Sequence, residues 1–456
     1  MNRTLITLLC ACCLLTCQPS EEPIVEEVVV IGGGLMGSAT AWQLAKQGRK
    51  VQLIEKQDSV YTEGSSYGEA RIARSNNRGN DIWSYLHNRS VGEVESLIAY
   101  LNEGLASPSY KIEDIYTTSA VTYVGRSRIY ERLLASLERQ QIKYDIATTK
   151  AEGEEKYDVL LPDSVLMQRE YNLHSGTINP RALIQHLHHA ITKKGSRVHY
   201  NMTVTQIACD SASNLYHLTV DENGKQRVIQ AQKVVSAVGP YTGRLLKDMA
   251  PYLDTLINPQ RVFLAFLKVN AAVYDSMTAV QKQKVQDYYP VINSSAGTRL
   301  GSFFSMIEYY DEQNHPIIKI GGHFQRSKVA DLNDIWKTDL SESEIEWSLN
   351  STAGYFRMLN LPVGKQDFEV VDGYSCVYSL TKSEVPIVSP LLQADGEPNQ
   401  DVVVLGGMSG VGAKGAMTYG LIAANLLLQK EEPDSMYRVT AEALGFDRLR
   451  LDVLGE

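Results

Sequence analysis

Residues 28–56 read VVVIGGGLMGSATAWQLAKQGRKVQLIEK, and the architecture of the chain follows from this segment. The apolar run 28–31 predicts a strand, Leu35–Lys46 predicts a helix, and Val51–Ile54 predicts a second strand that ends on Glu55. Glycines mark the end of the first strand and the first turn of the helix: Gly32, Gly34 and Gly37. This order of elements is typical of a βαβ unit with a dinucleotide-binding fingerprint.

Each residue type in this fingerprint has a physical reason. Gly32 permits a tight turn, Gly34 lets the backbone approach a pyrophosphate, and Gly37 lets the helix pack closely on the strand. The N-terminus of the helix offers free N–H groups to the phosphates. Glu55 can accept hydrogen bonds from ribose hydroxyls, which argues against NADP and leaves NAD or FAD. The alternative is a βαβ turn that binds no nucleotide.

Composition narrows the class of protein. The chain has 456 residues, 44% of them hydrophobic, enough for two domains or for one large domain with an insertion. Its net charge of -9 does not indicate a positively charged surface that would bind a polyanion. We therefore expect a small-molecule substrate and no nucleic-acid partner. Only Cys209 and Cys376 lie outside the first 17 residues, so we expect neither a disulfide framework nor a cysteine metal site.

The N-terminus has the layout of an export signal. An apolar run at 5–15 follows Arg3, is too short to span a membrane, and is followed by polar residues. Leu14 to Cys17 resembles a bacterial lipoprotein box. We therefore expect residues 1–17 to be a leader and the mature protein to be exported, either periplasmic or tethered to a membrane by a lipid on Cys17. The alternative is a cytoplasmic protein with a chance apolar leader.

Two further segments carry clusters of cationic or metal-binding residue types. Residues 63–78 are predicted to form a loop leading into a helix, on which Arg71 and Arg74 would share one face; the alternative is a solvated basic surface. A predicted helix at 181–194 carries three histidines, His186, His188 and His189. Their spacings do not place three metal ligands on one face, so we interpret them as solvated side chains.

The chain resembles the monomeric sarcosine oxidase, N-methyltryptophan oxidase and pipecolate oxidase group of the D-amino-acid-oxidase-like (DAO) flavoproteins over about residues 28–428. The likeness lies in four motifs: GSSYGEARIAR at 64–74, IIKIGGH at 317–323, SCVYS at 375–379 and GGMSGVGAK at 406–414. It implies an α/β fold: a Rossmann-like FAD-binding domain of the two-dinucleotide-binding type, with an inserted α+β substrate domain built on an antiparallel sheet. The implied FAD-binding segments are 24–95, 175–245 and 372–432, and the substrate-binding segments are 96–174 and 246–371.

The resemblance also implies roles for individual residues. Arg71 would lie over the flavin, and Arg74 and Lys414 would bind the substrate carboxylate. Lys319 would receive oxygen beside the flavin; strand alternation places it on the same face as His323 and opposite Ile318 and Ile320. Tyr378 would line the substrate pocket, and Cys376 would carry FAD as a thioether, unless it is simply a buried apolar residue. The other implied FAD contacts are Ser65, Val204, Gly239, Gly410 and Gly412.

The implied activity is oxidation of a secondary amine, most simply an N-methyl or cyclic amino acid, by a monomeric FAD enzyme. Hydride transfer to flavin N5 would give an imine, and O2 would then reoxidise the flavin to give hydrogen peroxide. Two alternatives remain at this point: a flavin dehydrogenase that uses another electron acceptor, and a non-catalytic flavin-binding lipoprotein.

Overall fold

The computed structural model describes residues 24–455, except 60, 62, 77–80, 299 and 334–338, and it leaves the side chains of 127–130 undescribed. The expected leader at 1–17 and its Cys17 lipid site lie outside the described residues. Within the described part of the chain, no helix is both long and apolar enough to cross a membrane.

The strands, in chain order, are β1 Val25–Ile31, β2 Val51–Ile54, β3 Arg71–Ala73, β4 Tyr116–Thr118, β5 Val121–Arg126, β6 Lys143–Ala147, β7 Val165–Tyr171, β8 Gly176–Ile178, β9 Arg197–His199, β10 Met202–Asp210, β11 Leu215–Glu222, β12 Lys225–Ser236, β13 Asn258–Val269, β14 Val291–Asn293, β15 Phe303–Tyr310, β16 Pro316–Gly322, β17 Ser327–Lys328, β18 Phe368–Leu380, β19 Ile387–Leu392 and β20 Pro398–Gly406. The α-helices are α1 Leu35–Lys46, α2 Asp81–Asn102, α3 Ser127–Arg139, α4 Lys150–Tyr157, α5 Pro180–Lys193, α6 Thr242–Leu245, α7 Tyr252–Leu256, α8 Ala271–Ser276, α9 Ala279–Asp287, α10 Glu342–Met358, α11 Ala416–Leu428, α12 Ser435–Leu444 and α13 Phe446–Leu454.

The first sheet is built around the predicted βαβ unit, whose helix and second strand have the expected bounds. Its strands run β10-β11-β12-β1-β2-β9, with β20 beside β12 and β19 beside β20. The central pairs β12–β1, β1–β2, β2–β9 and β12–β20 are parallel, as expected of a Rossmann-like sheet. Residues 28–31 are buried on both faces, because helices cover one side and the β10–β12 meander covers the other.

The second sheet joins two distant parts of the chain. Its order is β17-β13-β16-β15-β14-β5-β7-β6, with β18 also paired to β13. All of these pairs are antiparallel except β14–β5, where the strands are parallel. The expected α+β part built on an antiparallel sheet is therefore present. Strand β18 belongs to this sheet, although the sequence division assigned its residues from 372 onwards to the FAD-binding part.

A third, small sheet corrects the prediction for the arginine segment. Residues 71–73 form a strand and not a helix, since β3 pairs antiparallel with β8, and β8 pairs with β4. In an extended segment, residues three apart do not share a face. Arg71 and Arg74 consequently point to different surroundings.

The histidine prediction is also corrected in part. Helix α5 begins at Pro180, as expected for a proline in the first turn, but His188 is buried and is not solvated. One ring nitrogen lies 2.8 Å from Ser38 Oγ and the other lies 2.7 Å from the Tyr200 hydroxyl. His189 is exposed, as predicted.

Candidate functional site

A cavity of about 530 Å³ extends between the first and second sheets. It begins at the glycine turn after β1 and reaches the buried faces of β16 and β18. Twelve of the residues that the sequence assigned to the site line this cavity: Gly32, Gly34, Glu55, Ser65, Arg71, Val204, Gly239, Lys319, Cys376, Tyr378, Gly410 and Gly412. Residues separated by almost the whole chain therefore meet around a single space.

The glycine turn is shaped by close backbone approaches. Gly32 has φ of +96°, and a Cβ there would lie 2.6 Å from the carbonyl oxygen of Ala237. A Cβ on Gly37 would overlap the carbonyl oxygen of Gly32, so only glycine lets α1 approach β1 this closely. At Gly34 a Cβ would meet only the Ser66 hydroxyl, at 3.3 Å, which leaves this backbone open to the cavity.

Glu55 stands at the end of β2 and is tied to the same turn. Its carboxylate accepts hydrogen bonds from the backbone N–H groups of Gly33 at 2.6 Å and Gln57 at 2.9 Å. Burial raises the pKa of this carboxyl, and the backbone hydrogen bonds only partly oppose that effect. Tyr61 donates to the Gly33 carbonyl at 2.6 Å. Tyr61 was not among the predicted site residues, because no motif marks it.

Arg71 is held by the backbone of its own loop. Its guanidinium donates to the carbonyls of Ser65 at 3.1 Å and Ala70 at 2.8 Å, and also to the carbonyl of Tyr67. Burial disfavours its charge, but the surrounding Tyr374, Glu308 and Cys376 outweigh burial and raise the pKa of Arg71. The cation is therefore fixed in charge and position at the cavity wall.

Lys319 has the environment of a functional lysine. The predicted alternation along β16 is present, since Ile318 and Ile320 lie in the core of the second sheet while Lys319 lines the cavity. The lysine is 0% exposed, donates to the Ala70 carbonyl and forms an ion pair with Glu308. Burial lowers the pKa of Lys319 to about 7; nearby Arg71 adds to the decrease, while Glu308 opposes it.

The sequence prediction missed Glu308. It lies on β15 within the mostly apolar run FFSMIEYY, and the pairing of β15 with β16 is irregular between Ile307 and Tyr309. An acid inside such a run was the available signal, because a buried carboxylate almost always has a charged or hydrogen-bonding partner.

Cys376 and Tyr378 lie on β18, and both line the cavity. Cys376 is buried and packs with the apolar residues Val262 and Leu264. A Cβ on Gly410 would lie 2.9 Å from the Tyr378 ring, so the glycine loop 407–412 packs directly against this tyrosine. The loop and the strand that carries the thiol therefore form one continuous wall.

Four of the predicted site residues are not part of the cavity lining: Gly37, Arg74, His323 and Lys414. The Arg74 guanidinium lies 5.5 Å from the centre of the Tyr123 ring, and the Lys414 ammonium lies 5.7 Å from that of Trp83. The His323 ring centroid is 6.4 Å from that of Tyr378.

Arg74, His323 and Lys414 nevertheless lie near the Tyr378 end of the cavity, whereas Gly37 packs against the glycine turn. Strand β3, which precedes Arg74, packs against the turn Ala413–Gly415 that carries Lys414. Burial raises the pKa of the Tyr378 phenol and nearby Cys376 adds to this, while the cations Arg71, Arg326 and Arg74 act in the opposite direction. Three guanidinium groups therefore lie close enough to influence one hydroxyl, and this end of the site is electropositive.

No group of three or more histidine, cysteine, aspartate or glutamate side chains that could hold a metal ion occurs among the described residues. The site thus consists of a backbone cradle at one end and cations around a tyrosine and a cysteine at the other.

Comparison with known proteins agrees with this geometry. A probable sarcosine oxidase from Arabidopsis thaliana is 23% identical over 407 residues, which are 89% of this chain and 88% of the relative. Human peroxisomal sarcosine oxidase is 23% identical over 410 residues, 88% of this chain and 92% of the relative. The solved structure of NikD, an unusual amino acid oxidase, superposes with a TM-score of 0.66 at 18% identity, covering 91% of this chain and 96% of that one.

The family model for FAD dependent oxidoreductases (DAO) matches residues 27–426, which include every residue of the cavity lining and both large sheets except the first two residues of β1. The chain therefore belongs to the DAO family of FAD-dependent oxidoreductases.

Proposed function

We propose that this protein is an FAD-dependent oxidase of a secondary amino acid, either N-methylated or cyclic, with O2 as electron acceptor. One observation carries the proposal: Arg71, Lys319, Cys376 and Tyr378 line the same cavity as the dinucleotide-binding glycine turn. The family supplies the cofactor, and the sarcosine oxidases among the relatives point to the class of substrate.

The residues present fit FAD. Gly32 and Gly34 offer backbone to the pyrophosphate, Glu55 lies at the end of β2 where a ribose would bind, and Val204 and Gly239 line the cavity nearby. Gly410 and Gly412 bring backbone to the other end, where the ring system would lie. When bound there, FAD supplies the two-electron acceptor that takes a hydride equivalent from the carbon next to the substrate nitrogen.

The cations around Tyr378 would orient the substrate. Arg74 and Lys414 remain our proposed carboxylate ligands, since a guanidinium fork binds a carboxylate through two hydrogen bonds. The same positive charge disfavours an ammonium on the bound substrate, so it favours the neutral amine that can be oxidised. Binding the carboxylate would hold the reacting carbon at the cavity wall.

Lys319 would act on the oxygen side. Its ammonium lies at the buried wall of the cavity, where a fixed positive charge stabilises negative charge on oxygen as oxygen takes up electrons. Cys376 would hold FAD through a thioether. A covalent link would suit an exported protein with a lipid on Cys17, because a reversible complex outside the cytoplasm loses its cofactor by mass action.

The test is anaerobic mixing of the purified holoenzyme with sarcosine, other N-methyl amino acids, pipecolate, proline and D-amino acids. We expect a secondary amino acid to bleach the flavin absorbance, and subsequent mixing with air to restore it with formation of hydrogen peroxide. Bleaching without formation of hydrogen peroxide would indicate that the protein is a dehydrogenase and not an oxidase. No bleaching with any of these amines would refute the proposal.

A further inference from the structure

The buried carboxylate of Glu308 connects three parts of the flavin site. One oxygen accepts the backbone N–H of Glu69 at 2.6 Å, and the other accepts that of Ala70 at 3.1 Å and also pairs with the Lys319 ammonium. The side chains of Glu308 and Lys319 are 2% and 1% exposed, so solvent screens this ion pair very little.

The same contacts fix the chain just before Arg71. Lys319 donates to the carbonyl of Ala70, while Glu308 accepts the N–H of that residue. Both polar groups of one peptide segment are thus bound by side chains of β15 and β16. Gly68 allows this approach: its φ is +100°, and a Cβ there would lie 2.7 Å from Glu308 Oε1.

The charged and titratable groups around Lys319 come from three of the neighbouring segments. The β3 segment contributes Arg71 and β15 contributes Glu308. On β18, Tyr374 lies beside Arg71, and Cys376 would carry no charge in a thioether to FAD. On β13 the residues opposite this part of β16 are apolar: Leu264, Ala265, Phe266 and Leu267. Glu308 is therefore the carboxylate that offsets two adjacent cations in this wall.

Without that carboxylate, burial and repulsion from Arg71 would both favour the neutral amine form of Lys319. A buried charge also needs a partner, because removing one member of a buried ion pair leaves the other charge without compensation. Glu308 is such a partner for Lys319. It faces the ammonium directly, and two backbone N–H groups hold its carboxylate in place.

We propose that Glu308 is a positioning residue of the flavin site, which favours the ammonium form of Lys319 at the cavity wall and fixes the backbone that carries Arg71. The effect of Glu308 on the reaction with oxygen rests on the proposed function. The effect of Glu308 on the protonation of Lys319 does not rest on it and can be measured without any amine substrate.

The primary test is a spectrophotometric pH titration of bound FAD in the oxidised holoenzyme. In the wild type we expect a transition near pH 7, as Lys319 loses its proton, and no such transition in Lys319→Met. Glu308→Gln keeps the shape of the side chain but removes the charge, so the transition should move to lower pH by at least about one unit, a tenfold change in the ratio of protonated to neutral lysine.

Glu344→Gln is a matched control for the loss of a buried carboxylate. Glu344 is also 2% exposed and pairs with Arg261, but neither residue lines the cavity. This variant should lose stability while keeping the wild-type titration. An unchanged transition in Glu308→Gln, or an equal displacement in Glu344→Gln, would overturn the proposal.

If Glu308→Gln does not retain FAD, Glu308→Asp provides the second test. It keeps the charge but withdraws it from Lys319, so a smaller displacement to lower pH is expected, and an unchanged titration contradicts the proposal. Photoreduced enzyme mixed with O2 at pH 8 then tests the consequence for oxygen: Glu308→Gln should react about tenfold more slowly than wild type. A displaced titration with no effect on this rate would refute only the oxygen role of Lys319.

Discussion

Ser65 donates a hydrogen bond of 2.8 Å to the carbonyl oxygen of Val377, 312 positions away in the sequence. This bond ties the loop that precedes Arg71 to the strand that carries Cys376 and Tyr378. The loop and the strand are therefore direct neighbours in the wall of the same cavity.

The position of Cys376 leads to a test of the cofactor link. Acid-precipitated wild-type protein should be yellow, because a thioether survives denaturation, whereas Cys376→Ser should give a colourless precipitate and lose FAD on dialysis. Cys209→Ser is the control, since Cys209 is an exposed cysteine elsewhere in the fold and its replacement should leave the precipitate yellow. Colourless wild-type protein would show that FAD is held without a covalent bond.

The proposed role of Arg74 can be tested with two substrates that differ only in a carboxylate. Arg74→Gln should lower kcat/KM roughly 10- to 100-fold for an amino acid substrate, since hydrogen bonds to a charged group contribute about 1.5–3 kcal/mol. For an amine of similar shape without a carboxylate, kcat/KM should fall much less. Steady-state kinetics with both substrates measure the difference.

Arg74→Lys serves as the conservative variant. It retains the positive charge near Glu170 and Tyr123, so stability and FAD content should stay close to wild type while the preference for a carboxylate falls. Equal losses of rate for the two substrates would assign Arg74 to folding alone.

The contact between Gly37 and Gly32 predicts a steric effect. In Gly37→Ala the new methyl group would overlap the Gly32 carbonyl, so we expect a loss of about 1–3 kcal/mol in the free energy of unfolding and a loss of bound FAD. Urea unfolding and flavin absorbance measure the two effects.

Gly92→Ala is the matched substitution in a helix. A Cβ at Gly92 in α2 would meet nothing within 4 Å, and alanine is a better helix former by about 0.8–1 kcal/mol. It should be neutral or stabilising and should keep FAD. Similar behaviour of the two variants would contradict the steric explanation for Gly37.

His188 predicts a pH dependence of stability. Burial lowers the pKa of its imidazole to about 4, whereas an exposed histidine titrates near 6.5. Between these values the unfolded chain binds a proton that the folded chain does not, so stability falls as pH decreases below 6.5. From pH 7 to pH 5 this single group should cost about 2 kcal/mol.

The measurement compares urea unfolding at the two pH values. In His188→Gln the free energy of unfolding should fall by about 2 kcal/mol less between pH 7 and pH 5 than in the wild type. His189→Gln should behave as the wild type, because His189 is exposed. An unchanged pH dependence in His188→Gln would mean that His188 accepts a proton within the folded protein.

Local patterns in the sequence were sufficient to predict the elements around the glycine turn. The bounds of α1 and β2 agree with the prediction, because buried apolar runs, glycine positions and helical spacing are properties of neighbouring residues. The alternation that directs Lys319 to the cavity and Ile318 to the core is local in the same sense.

The segment around Arg71 shows where local patterns are insufficient. The sequence predicted a loop leading into a helix here, but β3 forms because β8, about a hundred residues later, offers hydrogen bonds to its backbone. Strand β18 joins the second sheet for a similar reason: β13 pairs with it along almost its whole length.

The sequence by itself determined the nucleotide-binding half of the fold and the residue types that surround the flavin site. Only the tertiary structure decided which charges meet: Glu308 with Lys319 and with the backbone of Ala70, 238 positions away. The reason is physical. Secondary structure depends on spacing along the chain, whereas an ion pair depends on distance through space and on the exclusion of water, and both of these are set by packing between distant segments.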